Sequence, residues 1–312
     1  MKKYNDKKGK NQVLAQFSEA YVSQEMQERI AQCGDWLRFI TDWEGGKYRL
    51  EAANFCKWRF CPMCAWRKKR RDAQRISVLM SYIAAELGKS FIFVTFTAPN
   101  VKRDKLAEEI AKYNHAFNRL MKRKEILRMN SGYIRKLEVT YNKKRDDYHP
   151  HFHVVFAVNR TYFHGGTYVK QQVWLDLWRD VMGDDSITQV DVRAVKRRGD
   201  SKGLAQSFDV DEFAKYASKD ADYLQSALVF EGFYTALKGR QQITYSGAFS
   251  AANKKYKADE LIDYIKTDKT AYYWELMYTW SGGEYREKER RPLDAADKIF
   301  LGRRGIDTEV VE

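Results

Sequence analysis

Three of the five histidines in this chain lie at alternating positions where one apolar run begins, in HPHFHVVFAV, residues 149–158. Alternate side chains of a β-strand project from the same face, so His151 and His153 would stand about 7 Å apart between Cα atoms at a rise of ~3.3 Å per residue. His149 shares their parity, but Pro150 can end the strand before it. The spacing therefore predicts that two imidazoles bind one metal ion.

A carboxylate ligand is available in the segment before the histidines. Residues 132–142, GYIRKLEVTYN, alternate imperfectly between apolar and polar side chains, which indicates a strand. A polar turn at 143–149 would pair this strand antiparallel with the histidine strand, and in register Glu138 would face the histidines. Two imidazoles and one carboxylate with open coordination positions suit Mn²⁺ or Mg²⁺ acting on a phosphate, and they also suit Zn²⁺.

Two classes of metal hydrolase are excluded by counting ligands. A cupin needs a glutamate a few residues beyond the second histidine, where this chain has Ala157 among apolar neighbours. An amidohydrolase needs further histidines on later strands, and none follows His164. The nucleophile or base that works with the metal must therefore come from another part of the chain.

A nucleophile for phosphoryl transfer is available in DVDEFAKYASKDADYL, residues 209–224, which predicts a helix. Glu212, Tyr216, Lys219 and Tyr223 follow one another at steps of four, three and four, so they share one helix face. A tyrosine, a carboxylate and a lysine on one face make a set for covalent phosphoryl transfer, in which the phenolate attacks phosphorus and the lysine helps to hold charge. A solvent-facing Glu–Lys pair with packed tyrosines explains the same spacing, and on spacing alone it is the simpler interpretation.

The cysteines form a second group of metal-ligand residues. All four lie in the first fifth of the chain, at Cys33, Cys56, Cys61 and Cys64. The Cys-Pro-x-Cys end of CKWRFCPMC resembles the knuckle turn of zinc ribbons, in which two thiolates reach one tetrahedral ion. Cys33 would complete four ligands for a structural Zn²⁺, and incidental reduced thiols in a loop-rich segment are the alternative.

The residues after Cys64, AWRKKRRDAQRISVLMSYIAAEL, predict a helix with one apolar face. Positive charge at a helix N-terminus opposes the macrodipole, so contact with phosphates would explain its presence there. A solvated helix face is the alternative, but Trp58, Phe60 and Trp66 are interleaved with the charges and favour nucleic acid. The candidate DNA-binding cations are Arg67, Lys68, Lys69, Arg70, Arg71 and Arg75.

The overall composition describes a folded, basic protein. The chain has 312 residues with 44% hydrophobic and 14% aromatic residues, enough to form a core, and a formal net charge of +14. Residues 1–255 carry 46 basic against 29 acidic side chains, so a polyanion such as nucleic acid is the expected partner of that part. No stretch approaches 18 apolar residues and no signal-peptide core follows MKKYNDKKGKNQ, so we expect a cytoplasmic protein without a membrane partner.

The remaining patterns supply the elements that would carry these residues. Dense β-branched and aromatic residues predict strands, and apolar residues at three- and four-residue steps predict helices. In chain order these are a strand at 90–100, a helix at 103–125, strands at 132–142 and 150–158, a helix at 169–182, a strand at 187–195 and a helix at 209–224. This order predicts an α+β fold, with an antiparallel ferredoxin-like sheet and helices on one face.

Taken together, the motifs resemble those of the replication initiators of rolling-circle plasmids, one branch of the HUH endonucleases. FVTFTAPN resembles the first motif of that family, and HPHFHVV contains its His-hydrophobic-His motif at His151, Phe152 and His153. EFAKYASKDADY resembles the third motif. Three motifs in this order, with the cysteine segment upstream, extend the resemblance over roughly residues 50–250.

The resemblance implies a defined reaction and assigns roles. Tyr216 aligns with the nucleophilic tyrosine and Lys219 with the lysine of the third motif, while Glu212 matches the glutamate that one subgroup uses instead of a second catalytic tyrosine. Such an initiator binds the double-strand origin of its plasmid and nicks one strand, and it keeps the 5′ phosphate on tyrosine. The 3′ hydroxyl primes the host polymerase, and Glu212 would activate water for the terminal cleavage. Mn²⁺ or Mg²⁺ is the expected catalytic ion.

The resemblance also suggests three segments. Residues 1–87 are predicted to be a basic, cysteine-rich, zinc-binding segment that contacts DNA, and residues 88–226 the HUH catalytic domain. Residues 227–312 are predicted to be a C-terminal helical accessory region, to which no chemistry is assigned. Origin recognition, contact with a second copy of the chain and recruitment of the host helicase are candidate roles for it.

Three alternative functions remain open from the sequence. A transposase of the same superfamily would share the motifs. A conjugative relaxase usually has its tyrosine before three histidines, the reverse of the order here. A zinc-containing DNA-binding regulator without catalysis explains the charge and the cysteines, but it leaves His151, His153 and Tyr216 unexplained.

Overall fold

The structure, a computed structural model, describes residues 1–195, 197–198, 207–208, 220–265, 268–294 and 309–311. Its contacts divide the chain into two compact units: unit 1 comprises Met1–Asp72 with Lys266–Glu312, and unit 2 comprises Ala73–Ile265. This division differs from the predicted segments 1–87, 88–226 and 227–312, because strands from both ends of the chain pair within unit 1.

The strands and helices have the following bounds. The strands are β1 (Trp36–Asp42), β2 (Tyr48–Ala53), β3 (Lys89–Thr97), β4 (Gly132–Asn142), β5 (Asp147–Asn159), β6 (Val190–Ala194), β7 (Arg197–Arg198), β8 (Ser207–Phe208), β9 (Ile243–Tyr245), β10 (Tyr272–Ser281), β11 (Glu284–Pro292) and β12 (Glu309–Val311). The helices are α1 (Lys2–Ser18), α2 (Gln24–Ala31), α3 (Pro62–Glu86), α4 (Leu106–Leu120), α5 (Lys124–Met129), α6 (Gln171–Met182), α7 (Asp220–Tyr223), α8 (Ala227–Leu237) and α9 (Ala248–Lys257).

The sheet of unit 2 has the predicted ferredoxin-like topology. Its strands lie in the order β6-β3-β5-β4-β9, and every neighbouring pair is antiparallel. The βαββαβ run from β3 to β6 therefore places its four strands in the order fourth, first, third, second, with the histidine strand β5 in the middle. The predicted α+β class and antiparallel sheet are confirmed.

Both faces of this sheet are covered by helices, which corrects the prediction of helices on one face. On one face Phe96 of β3 contacts Phe117 of α4 and Trp178 of α6. On the other face Phe91 and Phe93 belong to a buried cluster with residues of α3 and α9. The physical reason is that β3 and β5 are apolar on both sides, so each face must be buried.

The sheet of unit 1 is also antiparallel, with strand order β11-β10-β1-β2-β12. Strands β10 and β11 form a hairpin through Gly282 and Gly283, whose φ angles of 62° and 86° suit a two-residue turn that requires positive φ. Among its described residues, the predicted C-terminal helical region has α8, α9 and a short 3-10 helix (Ile262–Tyr264), whereas residues 272–281 and 284–292 form strands. Within the described part of the chain, no helix is both long and apolar enough to span a membrane.

Candidate active site

The pairing of β4 with β5 brings together the three residues that the sequence analysis chose as metal ligands. The register places Glu138 directly opposite His151 and Lys136 opposite His153. The Glu138 Oε2 atom lies 3.8 Å from His151 Nε2 and 3.4 Å from His153 Nε2. One ligand atom from each of the three residues falls within 4.8 Å of the other two, so a single ion can be shared. Their role as ligands stays a prediction.

Hydrogen bonds at Nδ1 orient both imidazoles. His151 Nδ1 lies 3.1 Å from the carbonyl oxygen of His149, which can only accept, so Nδ1 carries the proton. His153 Nδ1 lies 3.2 Å from the hydroxyl oxygen of Thr95 on β3, which can accept or donate a hydrogen bond. His151 Nε2 therefore keeps a lone pair on the side of Glu138, and His153 has the same tautomer when the Thr95 hydroxyl accepts, as metal-binding histidines do when a second group holds the other nitrogen.

The site is buried against aromatic rings. Glu138, His151 and His153 are 2%, 6% and 4% exposed. The ring of Phe93 stacks on His153 at 5.4 Å between centroids, and the ring of His149 stacks on His151 at 5.0 Å. Burial lowers the pKa of His151 to about 4, against the opposing effect of Glu138, so its imidazole is neutral at pH 7. Neutral imidazole is the form that binds a metal.

The donor set fits a divalent ion. A buried carboxylate beside two imidazoles places negative charge where little water can screen it, and a cation between them would offset that charge. Nitrogen and oxygen donors from one sheet face leave further coordination positions for water or a phosphate oxygen. The three residues can therefore hold Mn²⁺, Mg²⁺ or Zn²⁺ in an open site.

The sequence reasoning missed two residues of this site. Thr95 lies in the quoted FVTFTAPN motif, and its role follows only from the pairing of β3 with β5, which places it opposite His153. Lys136 is buried and shares the face of Glu138. Its position two residues before Glu138 in a strand would have indicated this, because alternate residues share a face.

The predicted nucleophile, base and lysine, Tyr216, Glu212 and Lys219, lie outside the described residues. The rival nucleophile Tyr223 is described, and it is 2% exposed. Its ring packs on Phe233 of α8 at 5.9 Å between centroids, in an edge-on arrangement. A tyrosine in this position contributes to the core of unit 2, and the role of Tyr216 stays a prediction.

The four cysteines converge in unit 1. The Sγ atom of Cys33 lies 3.6 Å from that of Cys64 and 3.5 Å from that of Cys61, and the Sγ atoms of Cys56 and Cys64 are 3.7 Å apart. Four sulfurs around one Zn²⁺ at ~2.3 Å would be about 3.8 Å apart at the corners of a tetrahedron. The cluster therefore has the dimensions of a tetrathiolate metal site, and all four ligand atoms could hold one ion.

The six candidate DNA-binding cations all lie on α3, as the sequence predicted, but they differ in what they contact. Arg67 lies over the ring of Phe55 at 3.8 Å and Arg75 over Tyr256 at 5.4 Å, so both support the local fold. Lys68 pairs with Asp72. Lys68, Arg70 and Arg71 are exposed, and Lys69 is half-buried.

The interleaved aromatic residues belong mainly to the interior of unit 1. Phe60 is buried, and the ring of Trp66 packs edge-on against Tyr4 at 5.0 Å. Trp58 is half-buried and packs on Phe60. Because these rings pack inside unit 1, they do not support stacking on nucleic-acid bases. The exposed cations of α3 remain candidates for contact with phosphates.

The fold and the site define an α+β protein that presents a two-histidine, one-carboxylate cluster on the face of its central sheet. Residues 47–288 match the family described as Replication protein, and the chain belongs to that family. The resemblance to plasmid replication initiators is thereby confirmed.

Curated relatives agree with this assignment. A protein named Protein rep from Staphylococcus aureus is 48% identical over 225 residues, which cover 72% of this chain and 95% of the relative. Proteins of the same name from Bacillus amyloliquefaciens and Streptococcus pneumoniae are each 35% identical, and the alignments cover 73% and 77% of this chain and 72% and 74% of the relatives. No solved structure matches the chain significantly.

Proposed function

We propose that this replication initiator is a metal-dependent endonuclease that nicks one strand of its plasmid's double-strand origin and transfers the 5′ phosphate to a tyrosine. The convergence of Glu138, His151 and His153 on one sheet face is the observation that carries the proposal. A DNA-binding regulator without catalysis has no use for two oriented imidazoles beside a buried carboxylate. Membership of a replication protein family favours an origin over transposon ends as the target.

In this proposal His151, His153 and Glu138 would hold a catalytic Mn²⁺ or Mg²⁺ through their imidazole nitrogens and a carboxylate oxygen. Such an ion would supply Lewis-acid polarisation of the scissile phosphodiester. Thr95 and the His149 carbonyl are hydrogen-bonded to the two Nδ1 atoms and would so fix the direction of both ligands. Phe93 stacks on the His153 ring and would support its orientation.

Tyr216 is proposed as the nucleophile, with Lys219 holding negative charge on the phosphate. The phenol oxygen bonds to phosphorus, the bond from phosphorus to the 3′ oxygen breaks, and that oxygen takes up a proton to become the 3′ hydroxyl. A free phenol has a pKa of about 10, so at neutral pH the attack depends on a polarised phosphate and on nearby positive charge. In the terminal cleavage Glu212 is proposed to take a proton from the attacking water, whose oxygen bonds to phosphorus while the bond from phosphorus to the 3′ oxygen breaks and that oxygen takes up a proton.

The expected partners follow from the reaction. The substrate is duplex origin DNA, and the displaced single strand leaves the site. The host polymerase extends the 3′ hydroxyl in the cytoplasm, and a host helicase opens the duplex ahead of it. A second copy of the chain is a further proposed partner. The exposed cations of α3 are proposed to contact phosphates, which supply affinity without sequence preference.

The test is incubation of the purified full chain with supercoiled plasmid that carries its origin, with and without Mn²⁺. We expect relaxed circles with protein attached to the 5′ end, dependent on the ion and on the origin. A plasmid of equal size without the origin is the control. Origin binding without nicking in Mn²⁺, Mg²⁺ and Zn²⁺ would contradict the proposal and favour the regulator. Cleavage at element ends, with none at the origin, would favour the transposase.

A further inference from the structure

Helix α1 buries a polar stripe, and this stripe faces the cysteine cluster. Its buried residues recur at three- and four-residue steps, and they are Tyr4, Lys8, Asn11, Leu14 and Ser18. Only two of them carry largely apolar side chains, so the hydrophobic effect alone does not account for the packing of this helix. The sequence matched by the replication protein family begins at residue 47, after α1 and after Cys33.

Lys8 is the most unusual member of the stripe, because its ammonium group is buried. The residue is 1% exposed, and its Nζ atom donates to the carbonyl oxygens of Ala31 at 2.9 Å and Cys33 at 3.0 Å. The same atom forms an ion pair with Asp35 at 2.6 Å. All three N–H donors of the ammonium therefore have acceptors. The Asp35 side chain is 47% exposed, so solvent weakens its ion pair with Lys8. Asp35 therefore offsets only part of the cost of burying the ammonium group.

A zinc-bound cysteine cluster would supply further negative charge near Lys8. One Zn²⁺ bound by four thiolates carries a net charge of −2, and any thiol still protonated releases its proton to solvent on binding. Lys8 is hydrogen-bonded to the main chain of Cys33, one of the four ligands. Gly34 follows that ligand with a φ of 76°, a conformation that lets the chain turn at the site and favours glycine.

Two further contacts serve the same ligands. The backbone N–H of Cys56 donates to Cys33 Sγ at 3.3 Å, a contact that stabilises a thiolate. The carbonyl oxygen of Cys56 accepts from the Arg29 guanidinium at 3.4 Å. The main chains of Cys33 and Cys56 are thus each bonded to a cation. This arrangement suits an anionic centre better than four neutral thiols.

We propose that Cys33, Cys56, Cys61 and Cys64 hold one Zn²⁺, and that Lys8 of the N-terminal helix balances the excess negative charge of this centre. Lys8 is a positioning residue: it touches no metal, and it acts through the Cys33 main chain and through its charge. The inference is independent of the endonuclease proposal, because it concerns unit 1 alone.

Lys8 is a better residue to test than Asn11. The Asn11 amide oxygen accepts from the thiol of Cys61 at 2.9 Å, and its amide nitrogen donates to the Ile30 carbonyl. Zinc binding would remove the Cys61 proton, so a change at Asn11 would alter the metal-free and metal-bound states in different ways. Lys8 bonds to carbonyl oxygens and a carboxylate, which keep their chemistry in both states.

The experiment compares the full wild-type chain with Lys8→Met, Lys8→Arg and Lys3→Met. Lys3 is exposed on the same helix and is the matched control. Zinc content is measured in the purified proteins, and zinc affinity by competition with a chromophoric chelator. Co²⁺ substitution reports the ligands directly, because thiolate-to-cobalt charge transfer absorbs strongly. Melting temperatures with and without zinc separate a role in metal binding from a role in folding alone.

We expect one zinc per wild-type chain and a cobalt spectrum of a tetrahedral tetrathiolate. Lys8→Met should bind zinc 10–100-fold more weakly, the usual effect of removing a group that supports a metal ligand. Lys8→Arg should recover most of the affinity, and Lys3→Met should match the wild type. Zinc should raise the melting temperature of Lys8→Met less than that of the wild type.

Two results would overturn the inference. A folded wild-type protein that binds neither zinc nor cobalt at the cysteines would remove the metal centre. Equal zinc affinity in Lys8→Met and wild type, or an equal drop in melting temperature with and without zinc, would assign Lys8 to the fold alone. If Lys8→Met does not fold, Lys8→Arg decides. Unchanged zinc affinity together with unchanged stability supports the proposal that the positive charge at residue 8 balances the zinc centre. Lost zinc affinity in a folded variant refutes that proposal.

Discussion

The two metal-ligand clusters of this protein are built in opposite ways. The site on the unit 2 sheet takes its ligands from two neighbouring strands, so the strand pairing sets Glu138 opposite His151 before any ion binds. In the cysteine cluster, Cys33, Cys56 and Cys61 lie outside strands and helices, and Cys64 lies in the first turn of α3. Strand pairing therefore sets the first site, whereas the second depends on how segments outside the sheets pack together.

The donor atoms differ in the same sense. Imidazole and carboxylate with open positions suit an ion that exchanges ligands with a phosphate, and a closed set of thiolates suits a zinc that stays in place. Loss of the bound ion should therefore have a different consequence at each site. It should stop chemistry at the sheet, and it should weaken the fold at the cysteines.

The largest effect is expected for the histidines of the sheet site. Replacing His153 by alanine removes a metal ligand, so nicking should fall to background while the melting temperature stays within a few degrees of the wild type. Duplex origin binding should be largely kept, since phosphate contacts carry most of it. His164→Ala is the matched control, because that histidine is exposed. Nicking that survives His153→Ala together with His151→Ala at saturating DNA would refute the ligand assignment.

A similarly complete but more selective loss is expected for the nucleophile. Tyr216→Phe keeps the ring and removes the attacking oxygen, so it should yield neither a nick nor a covalent adduct. Glu212→Ala should still nick and form the adduct, but it should fail to terminate and should yield products longer than one plasmid unit. Gel analysis of adduct and product length measures both. Tyr223→Phe is the comparison: if it alone abolishes the adduct, the buried tyrosine is the nucleophile.

The cysteine cluster should show the converse effect. Cys61→Ser should lower the zinc content to near zero and lower the melting temperature of the protein, because zinc binding contributes to folding. Any loss of nicking should be proportional to the loss of folded protein. The nicking rate per folded molecule should therefore equal that of the wild type. Active, fully stable Cys61→Ser protein without zinc would show that the cluster does not need an ion.

A smaller effect is expected for Thr95, whose hydroxyl is hydrogen-bonded to Nδ1 of His153. Thr95→Val keeps the shape and removes the hydroxyl, so the Mn²⁺ concentration for half-maximal nicking should rise about 10–100-fold, with little change in rate at saturating Mn²⁺. Thr95→Ser restores the hydroxyl and should restore the Mn²⁺ dependence. An unchanged Mn²⁺ dependence in Thr95→Val would show that the hydroxyl does not orient His153.

The smallest effect is expected on α3. Arg71 is exposed, and its replacement by alanine should weaken binding to all DNA sequences alike and reduce the salt dependence of log K by about one unit per lost phosphate contact. Nicking at saturating DNA should be unchanged. Binding titrations at several salt concentrations on origin and non-origin duplexes measure the effect, and a loss confined to the origin would indicate sequence recognition instead.

The sheet and its ligand cluster were predictable because alternation and a short turn determine a register. The predicted strand at 132–142 has the observed bounds, and the turn that follows places Glu138 opposite His151. The helices on the second face were missed, although the apolar side chains on both faces of β5, such as Phe152 and Val155, indicated them. The topology followed from the order of elements.

Other features lacked a local pattern. The buried stripe of α1 contains Lys8 and Asn11, so its packing depends on partners far along the chain that hydropathy does not reveal. The composition around Trp66 could not distinguish a ring that packs on Tyr4 from an exposed ring that stacks on a nucleic-acid base. The hairpin at 272–292 was obscured by aromatic residues, although Gly282 and Gly283 mark its turn. The roles of Tyr216, Glu212 and Lys219 rest on the sequence.

The pairing of β10 with β1 has a consequence for the order in which the chain folds during synthesis. Unit 2 ends at Ile265, so all of its described strands have been translated before β10 begins at Tyr272. Strand β1 must wait for about 230 residues of synthesis, on the order of 10–50 s at ~5–20 residues per second, before its partner emerges. A ribosome-bound chain halted at the end of that interval, once unit 2 has emerged, would carry the sheet with His151 and His153 while β1 still presented an open edge.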